Sequence, residues 1–250
     1  MAKINLILLV VVSIVLSNCS TGNDKFPLDK RYWDSMDYAN VTRELKYGYE
    51  PDESLPTFKN PETRAIVEKY TDHQNFNIVL EDKELGLKHK NGVAQDFFTR
   101  FRDMATVYRA IDRQDKYIYD QELMAIELFG LDLQLKYFKL GNDVIIENAD
   151  DPNSARIKNA VGSNINTLVA NYNLFLDEIN DESSFSDKGK EMIAEGIDVY
   201  FVKLIEMNPS ANYSGMERKI DLMYKKSTSE KIKSSLTKIK TIIESKRVQE

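Results

Sequence analysis

Residues 117–140 read YIYDQELMAIELFGLDLQLKYFKL, and this stretch decides the fold. Leu123, Ile126, Leu128, Phe129, Leu131, Leu133, Leu135 and Phe138 place apolar side chains nearly all round a helix of this length. A helix apolar on every side belongs at the centre of a helical assembly, because each of its faces needs a partner. Its acids, Asp120, Glu122, Glu127 and Asp132, stand among those apolar neighbours.

Working outward, the flanking segments supply the partners. Phe97, Phe101, Met104, Tyr108 and Ile111 recur at spacings of four and three, which makes one apolar helix face. Arg100, Arg102, Arg109 and Arg113 fall largely off that face. Downstream, Asp151-Pro152 restarts the chain, and Ile157, Val161, Ile165, Leu168, Tyr172, Phe175 and Ile179 form a long second stripe. Ser186-Asp187 opens another helix, with Ile193, Ile197, Tyr200 and Leu204 expected to face inward, and Asn208-Pro209 closes it. Ile220, Met223 and Tyr224 mark a shorter helix, and Ile232, Leu236, Ile239 and Ile243 the last. Long helices joined by short polar turns pack as antiparallel neighbours. The expectation is an all-α protein, an antiparallel helical bundle formed as one domain by residues 30–250.

The approach to the bundle is less regular. Residues 30–59 hold Tyr32, Trp33, Tyr38, Tyr47, Tyr49 and Phe58 together with Pro51 and Pro56. A short helix over Met36–Lys46 followed by an extended, aromatic wrap fits this composition, since the residue before proline disfavours helix. Asn60-Pro61-Glu62 predicts a helix from there to Thr71. Phe76, Ile78 and Leu80 alternate as a short strand would, although a helix through Leu85 fits equally well. Asn91-Gly92 predicts a break or the start of the next element.

The first residues carry an address. Lys3 precedes an apolar run from Ile4 to Leu16, too short for the roughly 20 residues of a membrane span. Polar residues follow at once, the layout of a secretory signal peptide over residues 1–18. Leu16-Ser17-Asn18-Cys19 resembles the lipobox of bacterial lipoproteins, with Asn18 where that family usually has Gly, Ala or Ser. The resemblance implies cleavage before Cys19, lipidation of Cys19, and a tether over residues 19–29. It also implies a bacterial cell-envelope location, at the outer membrane in a Gram-negative cell. Each buried methylene of a lipid contributes about 0.8 kcal/mol, so the two or three chains implied hold firmly.

Composition narrows the chemistry. The 250 residues hold one Cys and two His, which excludes an intrachain disulfide and a multi-cysteine zinc site. Acids outnumber bases 40 to 34, a formal charge of −6, so no nucleic-acid partner is expected. The charge is uneven: Tyr213–Glu250 carries a net +5, and Cys19–Asn212 a net −12. A basic tail of this kind can neutralise the body, face an anionic membrane or meet an acidic partner.

No phosphate loop, dinucleotide fingerprint, H-E-x-x-H or G-x-S-x-G motif occurs. No cofactor or metal is expected, and no catalytic residue is assigned. The acids of the central helix are the remaining candidates for acid–base work, since burial raises a carboxyl pKa. Asp132 is also four residues from Lys136, and Glu127 can meet an Arg of the neighbouring helix, both structural arrangements. Tyr32, Trp33 and Tyr38 are either a recognition surface or the pin that holds the wrap to the bundle. His73 and His89 lie in polar stretches and are expected at the surface. Asp143, Glu147, Asp150 and Asp151 match no Ca²⁺ loop and read as a solvated turn.

The expected function is a lipid-anchored envelope protein acting as a helical binding or scaffolding module with a protein partner. An immunity-type protein, whose acidic body masks a basic toxin, is a narrower form of it. The alternative is an envelope enzyme using Glu127 and Asp132.

Overall fold

The computed structural model describes residues 25–49, 54–112 and 118–247. The signal segment and Cys19 lie outside the described residues. Nearly every element is helical, and no strand occurs among the described residues. The chain folds as the expected all-α bundle.

Helix α1 (Ser35–Tyr47) starts at a capping box: the Asp34 carboxylate accepts from the N–H groups of Met36 and Asp37, and Asp37 returns the contact to the Asp34 N–H. Two short helices follow, α2 (Arg64–Tyr70) and α3 (Gln74–Leu80). Alternation in Phe76, Ile78 and Leu80 is therefore helical; Phe76 is buried and Ile78 exposed. Helix α2 begins three residues later than Asn60-Pro61-Glu62 suggests. Asn60 instead caps a turn, its Oδ1 accepting from the Glu62 N–H at 3.0 Å, and Arg64 reaches back to the Phe58 carbonyl.

Three long helices make the centre: α4 (Leu87–Asp112), α5 (Asp120–Glu147) and α6 (Ala155–Glu178). Asn91-Gly92 is no break but lies inside α4, where the tertiary packing of its apolar face outweighs one glycine's cost of about 1 kcal/mol. The helices are antiparallel. Phe98 stacks on Tyr137 and Arg109 pairs with Glu127, so position rises along α4 as it falls along α5. The same holds between α5 and α6, where Tyr172 donates to the Leu131 carbonyl and Asn164 to Asn142. Helix α5 is buried on all sides from Asp120 to Leu135, as its composition requires.

Helix α7 runs as one rod through Asp187–Gly196, a π-helical turn at Ile197–Phe201, and Val202–Met207. Its buried residues Ile193, Ile197, Phe201 and Ile205 are spaced by four. Each such step overruns a 3.6-residue turn by about 40°, and the wider π turn takes up the drift. This phase change corrects the expected stripe: Phe201 is fully buried, whereas Tyr200 is only half-buried. Helices α8 (Ser214–Lys226) and α9 (Glu230–Arg247) close the bundle. Lys231 and Lys238 of α9 pair with Glu191 and Asp198 of α7, so the basic tail neutralises part of the acidic body.

The N-terminal wrap is held by aromatic side chains. Trp33 is buried, its Nε1 donates to the Pro27 carbonyl at 2.8 Å, and its backbone N–H donates to Asn75 Oδ1 at 2.9 Å. Tyr38 is buried and stacks on Tyr70 with ring centroids 4.0 Å apart. Phe26, within the segment expected as tether, packs against the core, while Leu28 and Asp29 are exposed. Further along, the Tyr119 hydroxyl accepts from the Leu55 N–H, and the Tyr108 hydroxyl donates to the Pro56 carbonyl.

Candidate functional site

The four candidate acids of α5, Asp120, Glu122, Glu127 and Asp132, are not brought together. Each points at a different neighbour: Glu122 and Asp132 lie on other faces than Glu127, and Asp120, two turns from Glu127 on nearly the same face, meets a different element at the start of the helix. Asp120 is fully buried and holds the start of α7, accepting from the backbone N–H and the hydroxyl of Ser186. Glu122 holds the wrap: its Oε1 accepts from the Thr57 hydroxyl and the Phe58 N–H, both at 2.6 Å.

Asp132 anchors a charged cluster joining α3, α5 and α7. His73 Nδ1 lies 2.7 Å from Asp132 Oδ2, which also accepts from Lys136 Nζ at 2.5 Å. Lys136 donates in addition to Asn77 and lies over the Phe76 ring, while Lys203 stands 4.0 Å from Asp132 Oδ1. Burial works to raise the Asp132 carboxyl pKa, but the contacts with His73 and Lys136 outweigh it and hold the pKa below the ordinary value. His73 is thus a tertiary partner rather than the free surface residue its polar surroundings suggest. His89 is exposed, as expected.

Glu127 faces the opposite way, into a groove. Arg109 of α4 donates to both Glu127 of α5 and Glu178 of α6, so two carboxylates share one guanidinium. Glu127 is only 8% exposed. Loss of hydration, followed by repulsion from Glu178, pushes its pKa from 4.5 up to about 7 despite Arg109.

The groove has a floor and two walls. Glu127, Leu131 and Gln134 supply the floor at spacings of four and three on α5. Phe98, Phe101, Arg102, Ala105, Thr106 and Arg109 line the α4 wall. Asn171, Leu174, Phe175 and Glu178 line the α6 wall. Its volume is ≈ 180 Å³, and a second lobe of ≈ 150 Å³ lies beyond the ion cluster, reaching Leu123, Met124, Ser184 and Phe185. Gln134 is 6% exposed, and its Oε1 is buried without a hydrogen-bond partner. A buried amide oxygen left unpaired costs about 1–3 kcal/mol unless something supplies a donor.

Other sequence candidates take structural places. Trp33 and Tyr38 lie inside the core and present no recognition surface, which leaves Tyr32 half-buried beside Arg31. Asp143 pairs with Lys139, and Glu147, Asp150 and Asp151 are exposed around the α5–α6 turn. No group of three or more potential metal ligands gathers among the described residues. The groove itself was missed in the sequence, although Phe98, Phe101, Arg102, Ala105 and Arg109 share one helix face at spacings of three and four.

The chain matches no protein-family model, no curated protein and no solved structure.

Proposed function

We propose that this chain is a lipid-anchored protein of the bacterial cell envelope, tethered at Cys19, whose helical body is a binding or scaffolding module. The observation that carries the reading is the position of its single cysteine, directly behind a signal-like apolar run in Leu16-Ser17-Asn18-Cys19. The use of the α5 carboxylates supports a module. Asp120, Glu122 and Asp132 each fasten one element to another, and the groove over Glu127 is left open to a ligand. An envelope protein is the expected partner, and an immunity-type partner would have to be basic to suit the net −12 of Cys19–Asn212.

Fractionation of cells carrying wild type or Cys19→Ala tests the anchor. Release of the variant into the soluble fraction is the expected result; unchanged membrane retention rejects the tether. Protease treatment of intact cells then separates an outward-facing body, which is cleaved, from an inward-facing one, which survives until the outer barrier is broken.

A second reading has one observation in its favour: a carboxyl titrating near pH 7 in a groove suits acid–base catalysis by Glu127. It predicts that Glu127→Gln abolishes an activity while stability stays unchanged or rises.

A further inference from the structure

We propose that the outward face of α1 lies against the membrane that holds the lipid of Cys19, with Met36 and Tyr47 seated among the lipid headgroups. The inference rests on the lipid-anchor reading and adds which side of the body faces the bilayer.

Helix α1 has a side that nothing in the bundle covers. Tyr38, Val41, Thr42 and Leu45 are its buried residues. Opposite them, at spacings of four, three and four, stand Met36, Asn40, Arg43 and Tyr47. Met36 is 67% exposed and Tyr47 74%, more than any other large hydrophobic side chain among the described residues. Eleven residues apart, they point the same way about 16 Å apart along the helix axis. The solvent side of a helix on a globular body is ordinarily polar. A methionine and a tyrosine there suit an interface, and tyrosine in particular combines an apolar ring with a polar tip that stays wet.

The tether selects the occupant. Six peptide steps separate Cys19 from Lys25, and an extended chain spans at most about 3.6 Å per residue, so Lys25 stays within roughly 20 Å of the lipidated residue. Lys25 is fastened to the end of α1. Its Nζ donates to the Gly48 carbonyl at 3.3 Å and lies over the Tyr49 ring. From there the chain runs back along the helix, since Lys30 pairs with Asp37 in the first turn of α1. The exposed Leu28 stands on this returning segment. The lipid therefore leads into the body at the Tyr47 end of α1 and keeps that end close to the bilayer. Tethering raises the effective concentration of the face at the surface, so a contact too weak to hold a free protein is enough to orient a tethered one. For the same reason the contact does not replace the lipid, and release of Cys19→Ala remains the expected result.

Charge agrees with this placement. Residues 25–49 hold five bases and four acids, whereas residues 50–212 hold 18 bases and 30 acids. The N-terminal segment is thus the part of the acidic body least repelled by anionic lipid. The outward line of α1 carries Arg43 and no acid. Lys46 flanks it over the Tyr47 ring, 3.5 Å from Asp103. Of the nearby acids, Asp34 and Asp37 are engaged in the capping box. The basic tail is the competing surface, but its Lys231, Lys238 and Lys240 pair with Glu191, Asp198 and Asp221 of the body.

Depth-dependent fluorescence quenching tests the docking. Met36→Cys, Tyr47→Cys and, on α8, Leu222→Cys each give the full chain one reactive thiol, because the sulfur of a lipidated Cys19 is already a thioether. Each protein is labelled with bimane and reconstituted into vesicles of phosphatidylethanolamine and phosphatidylglycerol that contain a nitroxide-bearing lipid. Labels at positions 36 and 47 are expected to be quenched at least about twofold more than the label at position 222, which is equally open to solvent in the free body. Adding Arg43→Glu and Tyr47→Asp to Met36→Cys should lower its quenching to the level of Leu222→Cys, with the thermal melt unchanged. Equal quenching at all three positions overturns the docking. Strongest quenching at position 222 also overturns it and puts the basic tail on the lipid. A face reserved for a protein partner leaves positions 36 and 47 in water in these protein-free vesicles, which overturns it as well. The intact mass of the same preparations reports the lipid. Lipid on Cys19 without preferential quenching rejects the docking and leaves the anchor standing, whereas Cys19 without lipid rejects the anchor and the docking that rests on it.

Discussion

Asp120, at the buried start of α5, accepts hydrogen bonds from both the backbone N–H of Ser186, at 2.8 Å, and its hydroxyl, at 2.5 Å. Ser186 in turn caps α7, its hydroxyl oxygen accepting from the Gly189 N–H at 3.2 Å. One carboxylate therefore fixes where a second helix begins.

Replacing Asp120 by Ala leaves the partly buried N–H and hydroxyl of Ser186 without their acceptor. The loss of two charge-assisted hydrogen bonds is expected to cost about 2–4 kcal/mol, measured by urea denaturation at pH 7. Ser186→Ala, which keeps the backbone contact, should cost only about 1–2 kcal/mol. Equal costs for the two variants would count against Asp120 as the anchor of α7.

Glu127 makes stability depend on pH in an unusual direction. The unfolded carboxyl ionises near its ordinary 4.5, whereas the folded one keeps its proton up to about 7, because it is buried and faces Glu178. Between those pH values the folded state binds the additional proton, so stability falls as pH rises and levels off above 7. The span is on the order of 3 kcal/mol as an upper value. Glu127→Gln should remove the fall and be the more stable protein at pH 8. Denaturation of both proteins from pH 5 to 8 checks this, and parallel curves would contradict it.

Asp132 behaves in the opposite sense. Its folded pKa is depressed, since the contacts with His73 and Lys136 outweigh burial, so its stabilisation is present above the unfolded pKa and lost as pH drops through the folded one. Asp132→Asn is expected to cost about 1–3 kcal/mol at pH 7 and to lose that cost progressively below pH 4. A cost that persists undiminished at pH 3 would show that charge is not what holds the cluster.

Two glycines should respond to alanine with opposite signs. A Cβ on Gly130 would stand 2.2 Å from the buried Phe101 ring, and on Gly92 it would meet nothing within 4 Å. Gly130→Ala should therefore destabilise by about 1–3 kcal/mol through overpacking. Gly92→Ala should stabilise by about 0.5–1 kcal/mol through helix propensity. Thermal melts of both variants decide the matter, and a stabilised Gly130→Ala would contradict the close packing of α4 on α5.

The helices, their approximate ends and the central position of α5 follow from the sequence, because apolar periodicity records which face of a helix loses water. Two contacts of the α5 acids were legible in the same way. Asp132 with Lys136 is a spacing of four on one helix, and Glu127 meeting an arginine of the adjacent helix follows from their facing positions. The tertiary structure alone decided the rest. Nothing local to His73 marks it as the partner of Asp132, fifty-nine residues away, or Glu122 as the clasp of the wrap. Phe76 alternates like a strand residue and becomes helical because α3 packs its ring against Phe97 and Phe129. The groove depends on three helices at once. Periodicity along a chain fixes which side of each helix is buried, but only packing fixes which side chains of different helices meet, and so where one guanidinium is shared by two carboxylates.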